Sequence, residues 1–170
     1  MNDEQNGDLA SRMRAGMRKI AQGVSVVSLG DRNDQRAAMT ASSVTSVSAE
    51  PPSMLVCVHR DASLYAGLSA SKPFCINALA SHMDAIANRC AGGATGDDRF
   101  AEGDWQTDPQ TGLPFLADAL ANFFCTPEAA LQYGTHLVCI GRVDSVRVTA
   151  EREAPLLYLA GGYGTFTSDR

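Results

Sequence analysis

Ala37-Ala38-Met39-Thr40-Ala41-Ser42-Ser43-Val44-Thr45-Ser46-Val47-Ser48 is the stretch whose reading decides the fold. Six hydroxyl side chains, Thr40, Ser42, Ser43, Thr45, Ser46 and Ser48, fall within nine residues and alternate with small or β-branched apolar ones. Val and Thr are stiff at χ1, and Ser and Thr compete for backbone hydrogen bonds in helix interiors, so the run predicts a strand. Ala49-Glu50-Pro51-Pro52 then forces a turn, because neither proline donates to a ladder. Ser53-Met54-Leu55-Val56-Cys57-Val58-His59 follows, with an apolar strand from Met54 to Val58. Small side chains and hydroxyls on a strand let a flat polar ligand approach the backbone. The wet face of an ordinary amphipathic strand has the same composition, and composition alone leaves the two readings open.

Working outward, Val24 to Leu29 reads as an alternating strand, and Gly30-Asp31-Arg32-Asn33-Asp34 as the turn that makes the decisive stretch its hairpin partner. Upstream, Leu9, Met13, Met17 and Ile20 recur at helical spacing, with Asp8 as N-cap and Gly23 as stop, so an amphipathic helix laid on a barrel is expected. Downstream, Asp61-Ala62-Ser63 is placed to cap a short helix ending near Ser71. Phe74 to Ala78 reads as a strand, and Ser81-His82-Met83-Asp84 as the opening of a helix with Ile86 inward. From Ala91 to Pro114 the periodicity lapses into Gly and Asp, and the segment is expected to be a functional loop over a ligand or across a subunit boundary. Phe115 to Phe124, Gln132 to Ile140, Val143 to Val148 and Leu156 to Leu159 read as further strands. The expected fold is mainly β with short helices, a small closed or split β-barrel. One domain over residues 8–170, behind a flexible 1–7, accounts for the chain.

The bulk numbers narrow the function. The chain has 170 residues, 45% of them hydrophobic and 19% charged, with a net charge of -5 and no Lys/Arg stripe, so nucleic acid is not an expected partner. The polar, acidic start is unlike a signal peptide and no apolar run approaches membrane-spanning length, which predicts a soluble cytoplasmic protein. Five widely spaced cysteines, Cys57, Cys75, Cys90, Cys125 and Cys139, predict reduced thiols with neither disulfides nor a metal. Rossmann, P-loop, paired-His and hydrolase signatures are missing from the sequence. Enzyme chemistry here therefore calls for a cofactor that does the difficult step.

Gly23-Val24-Ser25-Val26-Val27, Met39 to Ser43 with Ser46-Val47-Ser48, Pro51-Pro52, Phe74-Cys75-Ile76-Asn77, Gly134-Thr135-His136 and Pro155-Leu156-Leu157-Tyr158 stand in the order and spacing of the short-chain flavin reductases, which the chain resembles from about Met13 to Phe166. These are the reductase components of two-component flavin monooxygenases. The resemblance implies an FMN-binding split β-barrel, a homodimer, and hydride transfer from NADH or NADPH to FMN or FAD. Reduced flavin then diffuses to a separate monooxygenase component, and the substrate specificity belongs to that partner.

It also implies a site. Met39, Thr40, Ala41 and Ser42 run along the flavin ring, and Ser43 and Cys57 are counted with the cofactor-binding residues. Ser48, His59, Arg60 and Ser63 belong to its phosphate side, Arg60 through its charge and planar donors. Asn77, Ala78 and Leu79 border the ring, and Ser81 and Arg89 reach toward the phosphate or ribityl chain. Asn77, polar in an apolar run, must have a partner, either backbone or ligand. His136 is the expected catalytic residue, placing an imidazole beside the ring and the incoming nicotinamide. Read alone, a His entering an apolar strand is more often structural, and His82 reads as a cap or a solvent-facing residue. Tyr163 matches the aromatic of the last strand, although Gly161, Gly162 and Gly164 replace the basic residues and His usual around it. A non-catalytic flavin- or haem-binding module of the same fold is the alternative. An oxidase of the pyridoxamine-phosphate type is disfavoured by the lack of clustered Arg and Lys.

Overall fold

The structure, a computed structural model, describes residues 3–30, 36–150 and 153–167, with side chains from residue 8 onward. In chain order its regular elements are α1 (Asp3–Met17), β1 (Gln22–Gly23), β2 (Ser25–Leu29), β3 (Ala37–Ala41), β4 (Thr45–Ala49), β5 (Pro52–His59), α2 (Tyr65–Ser69), β6 (Phe74–Ala78), α3 (Asp84–Asn88), β7 (Trp105–Thr107), β8 (Pro114–Leu116), β9 (Ala121–Tyr133), β10 (His136–Val148), β11 (Leu156–Leu159) and β12 (Gly162–Thr165). Seven strands form one antiparallel sheet in the order β3-β2-β6-β9-β10-β5-β4, and β1, β11 and β12 form a second. Among the described residues no helix is long and apolar enough to cross a membrane.

The decisive stretch is two strands, not one. β3 pairs with β2 and β4 with β5, so the two halves of the run stand at opposite edges of the large sheet. The sheet is a barrel left open at this seam, and Ser43 clasps it. Its hydroxyl donates to the Cys57 carbonyl (2.9 Å) and accepts from the Cys57 N–H (3.1 Å), joining the 42–44 connection to β5.

β2 is buried at every position, so it does not alternate as expected. It lies between two cores. Val26 packs with Leu79, Met83, Phe100 and Leu116, whereas Val27 and Leu29 pack with Val56, Val58, Leu64 and Phe74. The Gly30 to Asp34 turn falls mostly outside the described residues.

The helix and hairpin boundaries depart from the sequence reading. α1 begins at Asp3, so Asp8 lies within it, and ends at Met17 well before Gly23. Leu9, Met13, Met17 and Ile20 are exposed in the single chain and do not pack on the barrel. The β9–β10 hairpin turns at Gly134, whose φ is +56°, and Gly141 lies inside a continuous thirteen-residue strand. Gly141 is there because of crowding: a Cβ at that position meets Phe74 Cζ at 2.7 Å and Cys125 Cβ at 3.0 Å. Residues 91–114 are largely structured, as a π turn (Arg89–Gly93), a 3₁₀ turn (Gly96–Phe100) and the β7–β8 ladder. All five cysteines are free, four of them buried.

The end of that segment is held by Asp108. Its Oδ2 accepts from the Thr111 hydroxyl (2.8 Å) and the backbone N–H groups of Thr111 (2.9 Å) and Gln110 (3.2 Å), while Oδ1 accepts from Arg147 Nη2 (2.8 Å). The Arg147 guanidinium lies 4.4 Å from the centre of the Phe115 ring. Burial alone raises the Asp108 pKa, but the donations from Thr111, Arg147 and Gln110 outweigh it and hold the carboxyl below its ordinary range. The stability that this shift confers is complete above the ordinary carboxylate range and is lost as pH falls through the lowered folded value. Thermal melts over a pH series should therefore place Asp108→Asn below the parent at neutral pH, with the two converging on acidification. A gap that does not change with pH refutes this account.

Candidate functional site

A cavity of about 600 Å³ opens beside β3. Met39, Thr40 and Ser42 form one wall, and the turn after β5 supplies Asp61, Ala62 and Ser63. Asn88, Cys90, Ala91 and Arg99 form the opposite side, and Tyr158, Gly161 and Tyr163 of the β11–β12 hairpin close one end.

The wall strand is strapped in place by α3 and by the segment that the sequence reading left as a loop. Thr40 Oγ1 donates to the Ala87 carbonyl (2.6 Å), and Arg36 Nε donates to Asp97 Oδ1 (2.7 Å) while its guanidinium lies over the Phe100 ring at 4.1 Å. Arg99 Nη1 donates to the Ala38 carbonyl and to Ser63 Oγ (2.8 Å), and its Nε donates to the Ala94 carbonyl (2.9 Å). The hairpin at the far end turns through Ala160 (φ +55°) and Gly161 (φ +94°), a pair of left-handed residues that fits the right-handed twist of its strands. It brings the Tyr158 and Tyr163 rings to 5.4 Å, edge on.

His136 opens β10 directly opposite His59 of β5. Their rings are 5.0 Å apart at 84°, and Thr135 Oγ1 lies 3.0 Å from His136 Nδ1. His59 Nδ1 accepts from the Asp61 N–H (3.2 Å) and lies 3.5 Å from Asp61 Oδ2. The imidazole pair thus stands behind Asp61, and His136 itself does not line the cavity.

Of the residues implied by resemblance, Met39, Thr40, Ser42, Ser63 and Tyr163 meet on the cavity wall. The others lie elsewhere, each for a visible reason. Ala41 is buried and faces the second core. Ser43 and Cys57 bond each other across the seam. Ser48 is exposed on β4 and exchanges hydrogen bonds with Glu50. Arg60 is exposed, with its backbone N–H on the Thr135 carbonyl.

Asn77 is fully buried, with its amide occupied by protein partners. Ala78 and Leu79 have their backbone groups in the ladder and in bonds to Leu120, Val24 and Leu156. Ser81 bonds the Ala154 carbonyl through its backbone N–H. Arg89 turns away to Glu102 (2.9 Å) and the Asp98 carbonyl, and that hydrogen bond raises the Arg89 pKa and lowers that of Glu102. His82 pairs with Glu153 at 3.1 Å.

Sequence reasoning missed Arg99, Asn88, Cys90 and Tyr158. Tyr158 ends a quoted motif, but Arg99 lies in Asp97-Asp98-Arg99-Phe100, where no periodicity marks it. Burial pushes the Cys90 thiol up to about 11, so it meets the cavity as a neutral, weakly polar group.

The donor set fits a flavin nucleotide. The cavity volume lies within the range of about 300–1,000 Å³ usual for cofactor sites. It offers small side chains along β3, aromatic rings at one end, and Arg99 as the one cation on its wall among the described residues.

The flavin reductase like domain matches residues 17–167. The chain is 36% identical over 156 residues to the FMN reductase (NADH) RutF 1 of Methylorubrum extorquens (strain PA1), covering 92% of this chain and 76% of that protein. It is 37% identical over 151 residues to the reductase component of the FADH(2)-dependent resorcinol hydroxylase of Rhizobium sp. (strain MTP-10005), covering 88% of this chain and 83% of that one. Among solved structures, the NADH:FAD oxidoreductase SgcE6 of Streptomyces globisporus C-1027, in complex with NAD and FAD fragments, superposes with a TM-score of 0.85 at 28% identity, covering 94% of each chain. With a matched domain spanning nearly its whole length, the chain belongs to the flavin reductase like family.

Proposed function

We propose that the protein is an NADH-dependent flavin reductase that supplies reduced FMN or FAD to a separate monooxygenase component. The observation that carries this reading is the cavity between the hydroxyl-bearing strand β3 and the Tyr158–Tyr163 hairpin, with one cation at its side. When bound, the flavin supplies a ring that accepts hydride. The protein's own residues position it: Met39, Thr40 and Ser42 leave room for a flat ring against β3, and the two tyrosines limit water at one end. His136, anchored beside His59, acts on the exposed side, where an incoming nicotinamide has access.

The first measurement is loss of NADH absorbance with FMN, FAD or no flavin added. Many-fold stimulation by added flavin supports the reading. Flavin binding without NADH consumption overturns it and leaves a binding module.

A homodimer belongs to the same reading. Leu131 and Tyr133, 64% and 78% exposed, extend the β9–β10 hairpin tip beside His136, and a second chain against them buries both. Light scattering at twice the 18.0 kDa chain mass supports this, and the single-chain mass removes it. A cytoplasmic setting suits both the NADH donor and five unpaired thiols.

A further inference from the structure

We infer that α1 of one copy of this chain docks on the outer face of the β11–β12 hairpin of a second copy, and that the exchange is reciprocal. The inference rests on the homodimer reading only in needing two chains, and it uses a surface apart from Leu131 and Tyr133.

The helix carries an apolar stripe with nothing on it. Leu9, Met13 and Met17 recur at i, i+4 and i+8 and are 63%, 61% and 47% exposed, and Ile20 just past the helix end is 59% exposed. A helix of 15 residues is marginal in water without a surface to pack on.

The hairpin carries a matching groove. Its register pairs Leu157 with Gly164 and Leu159 with Gly162, and these residues line a groove of about 270 Å³. Their neighbours turn the other way, Leu156 into the core and Tyr158 to the flavin cavity. A Cβ at Gly164 meets nothing within 4 Å, and one at Gly162 meets only the Leu159 carbonyl oxygen at 3.9 Å. Neither glycine has a left-handed φ, so nothing inside the chain requires glycine at either position. Glycine within a strand marks a place where another backbone comes close, and a helix laid in the groove is such a backbone.

The occupant is a second copy because both halves of the contact are on this chain and do not meet in it. Ala21 lines the groove, and the Ala160 N–H donates to the Arg18 carbonyl (3.0 Å), so the helix leaves from the groove's own edge. The stripe nevertheless stays exposed, as does Leu159 at 48%. Complementary surfaces on one molecule are both covered when two copies pair about a two-fold axis. Charge favours the same occupant. Arg14, Arg18 and Lys19 accompany the stripe without a carboxylate partner among the described residues, and a second copy brings a net charge of -5. Tyr163 borders both the groove and the flavin cavity, so the docked helix backs the aromatic end of the site from outside.

Hydrogen–deuterium exchange of the α1 amides, read by mass spectrometry, tests the exchange in the full chain. L159D blocks the groove and M13D/M17D spoils the stripe. G164V fills the groove at a position with open space in the single chain, so it leaves the barrel intact. In L159D and G164V the α1 sequence is unchanged, yet its amides are expected to exchange at least about tenfold faster than in the parent, the least that withdrawing one buried Leu implies. Mixing L159D with M13D/M17D in equal amounts restores slow exchange to the unaltered helix alone, whose peptides differ in mass from those of M13D/M17D. Equal protection in parent, L159D and G164V places the helix elsewhere and overturns the inference. Protection lost in L159D and not restored by mixing means that the helix packs on its own chain, which also overturns it. A parent dimer with unprotected α1 amides overturns this inference alone and leaves the stripe to a different protein. A single-chain mass by light scattering removes the homodimer reading with it.

Discussion

Replacing Asn77 by Leu is expected to lower the free energy of unfolding by about 3–5 kcal/mol, because it strips the hub that joins two cores and a connecting loop. Asn77 is 0% exposed. Its Nδ2 donates to the Val26 carbonyl (2.8 Å) and Ser28 Oγ (3.2 Å), and its Oδ1 accepts from the Leu116 N–H (2.9 Å) and Asn122 Nδ2 (2.9 Å). Leu fills the volume but leaves the Leu116 N–H without its acceptor in a site closed to water. Asn122 keeps its bond to the Leu116 carbonyl (3.0 Å) and loses the other. Each stranded buried group costs about 1–3 kcal/mol, which sets the estimate.

Asn77→Asp separates packing from polarity. It keeps both acceptor contacts, loses both donations once ionised and places a carboxylate where burial opposes charge, so its folded pKa lies above the unfolded one. Its stability is therefore greatest below the ordinary carboxylate range and falls as pH rises, opposite in sign to the Asp108 effect. Urea unfolding at two pH values measures both variants. A loss below about 1 kcal/mol for Asn77→Leu refutes the hub account.

Asn77 also shows where sequence reading reaches its limit. A polar residue in an apolar run announces that it has a partner, but Leu116 and Asn122 lie 39 and 45 residues away, and only the fold brings them there. The β2–β3 hairpin was legible because its apolar pattern and turn residues are local. The long hairpin was misplaced because Pro127 interrupts the apolar run in β9, and the steric reason for Gly141 within β10 is a Phe74 ring 67 residues earlier in the chain. β12 has no strand pattern of its own because of its glycines, and only the resemblance placed Tyr163 on a last strand.

The site divides in the same way. Met39, Thr40, Ser42, Ser63 and Tyr163 were reached through motif order. Arg99 enters the wall through a 3₁₀ turn held by tertiary bonds, for which there is no sequence period. α1 shows the converse: Leu9, Met13 and Met17 recur at helical spacing along it, yet a pattern does not say what it packs against, and within one chain these side chains and Ile20 beyond the helix end are exposed.

His136→Ala is expected to slow hydride transfer at saturating flavin by about 100-fold, the lower end of what a positioned imidazole contributes. The expectation rests on placement. His136 sits at the first position of β10, with its ring edge-on to His59 and Thr135 Oγ1 3.0 Å from its Nδ1. Because it stands outside the cavity lining, its loss should leave flavin affinity within about threefold of the parent, and the effect should appear in kcat and in KM for NADH. His59→Ala is the control: His59 reaches the reaction only through His136 and Asp61, so it should slow turnover less. Stopped-flow absorbance with NADH in excess reads the step directly. An unchanged rate in His136→Ala removes His136 from the mechanism and leaves the imidazole pair as a structural feature of the β5–β10 ladder. A rise in KM for NADH with kcat intact assigns His136 to binding the donor, because only an interaction stronger in the transition state than in the bound ground state lowers kcat.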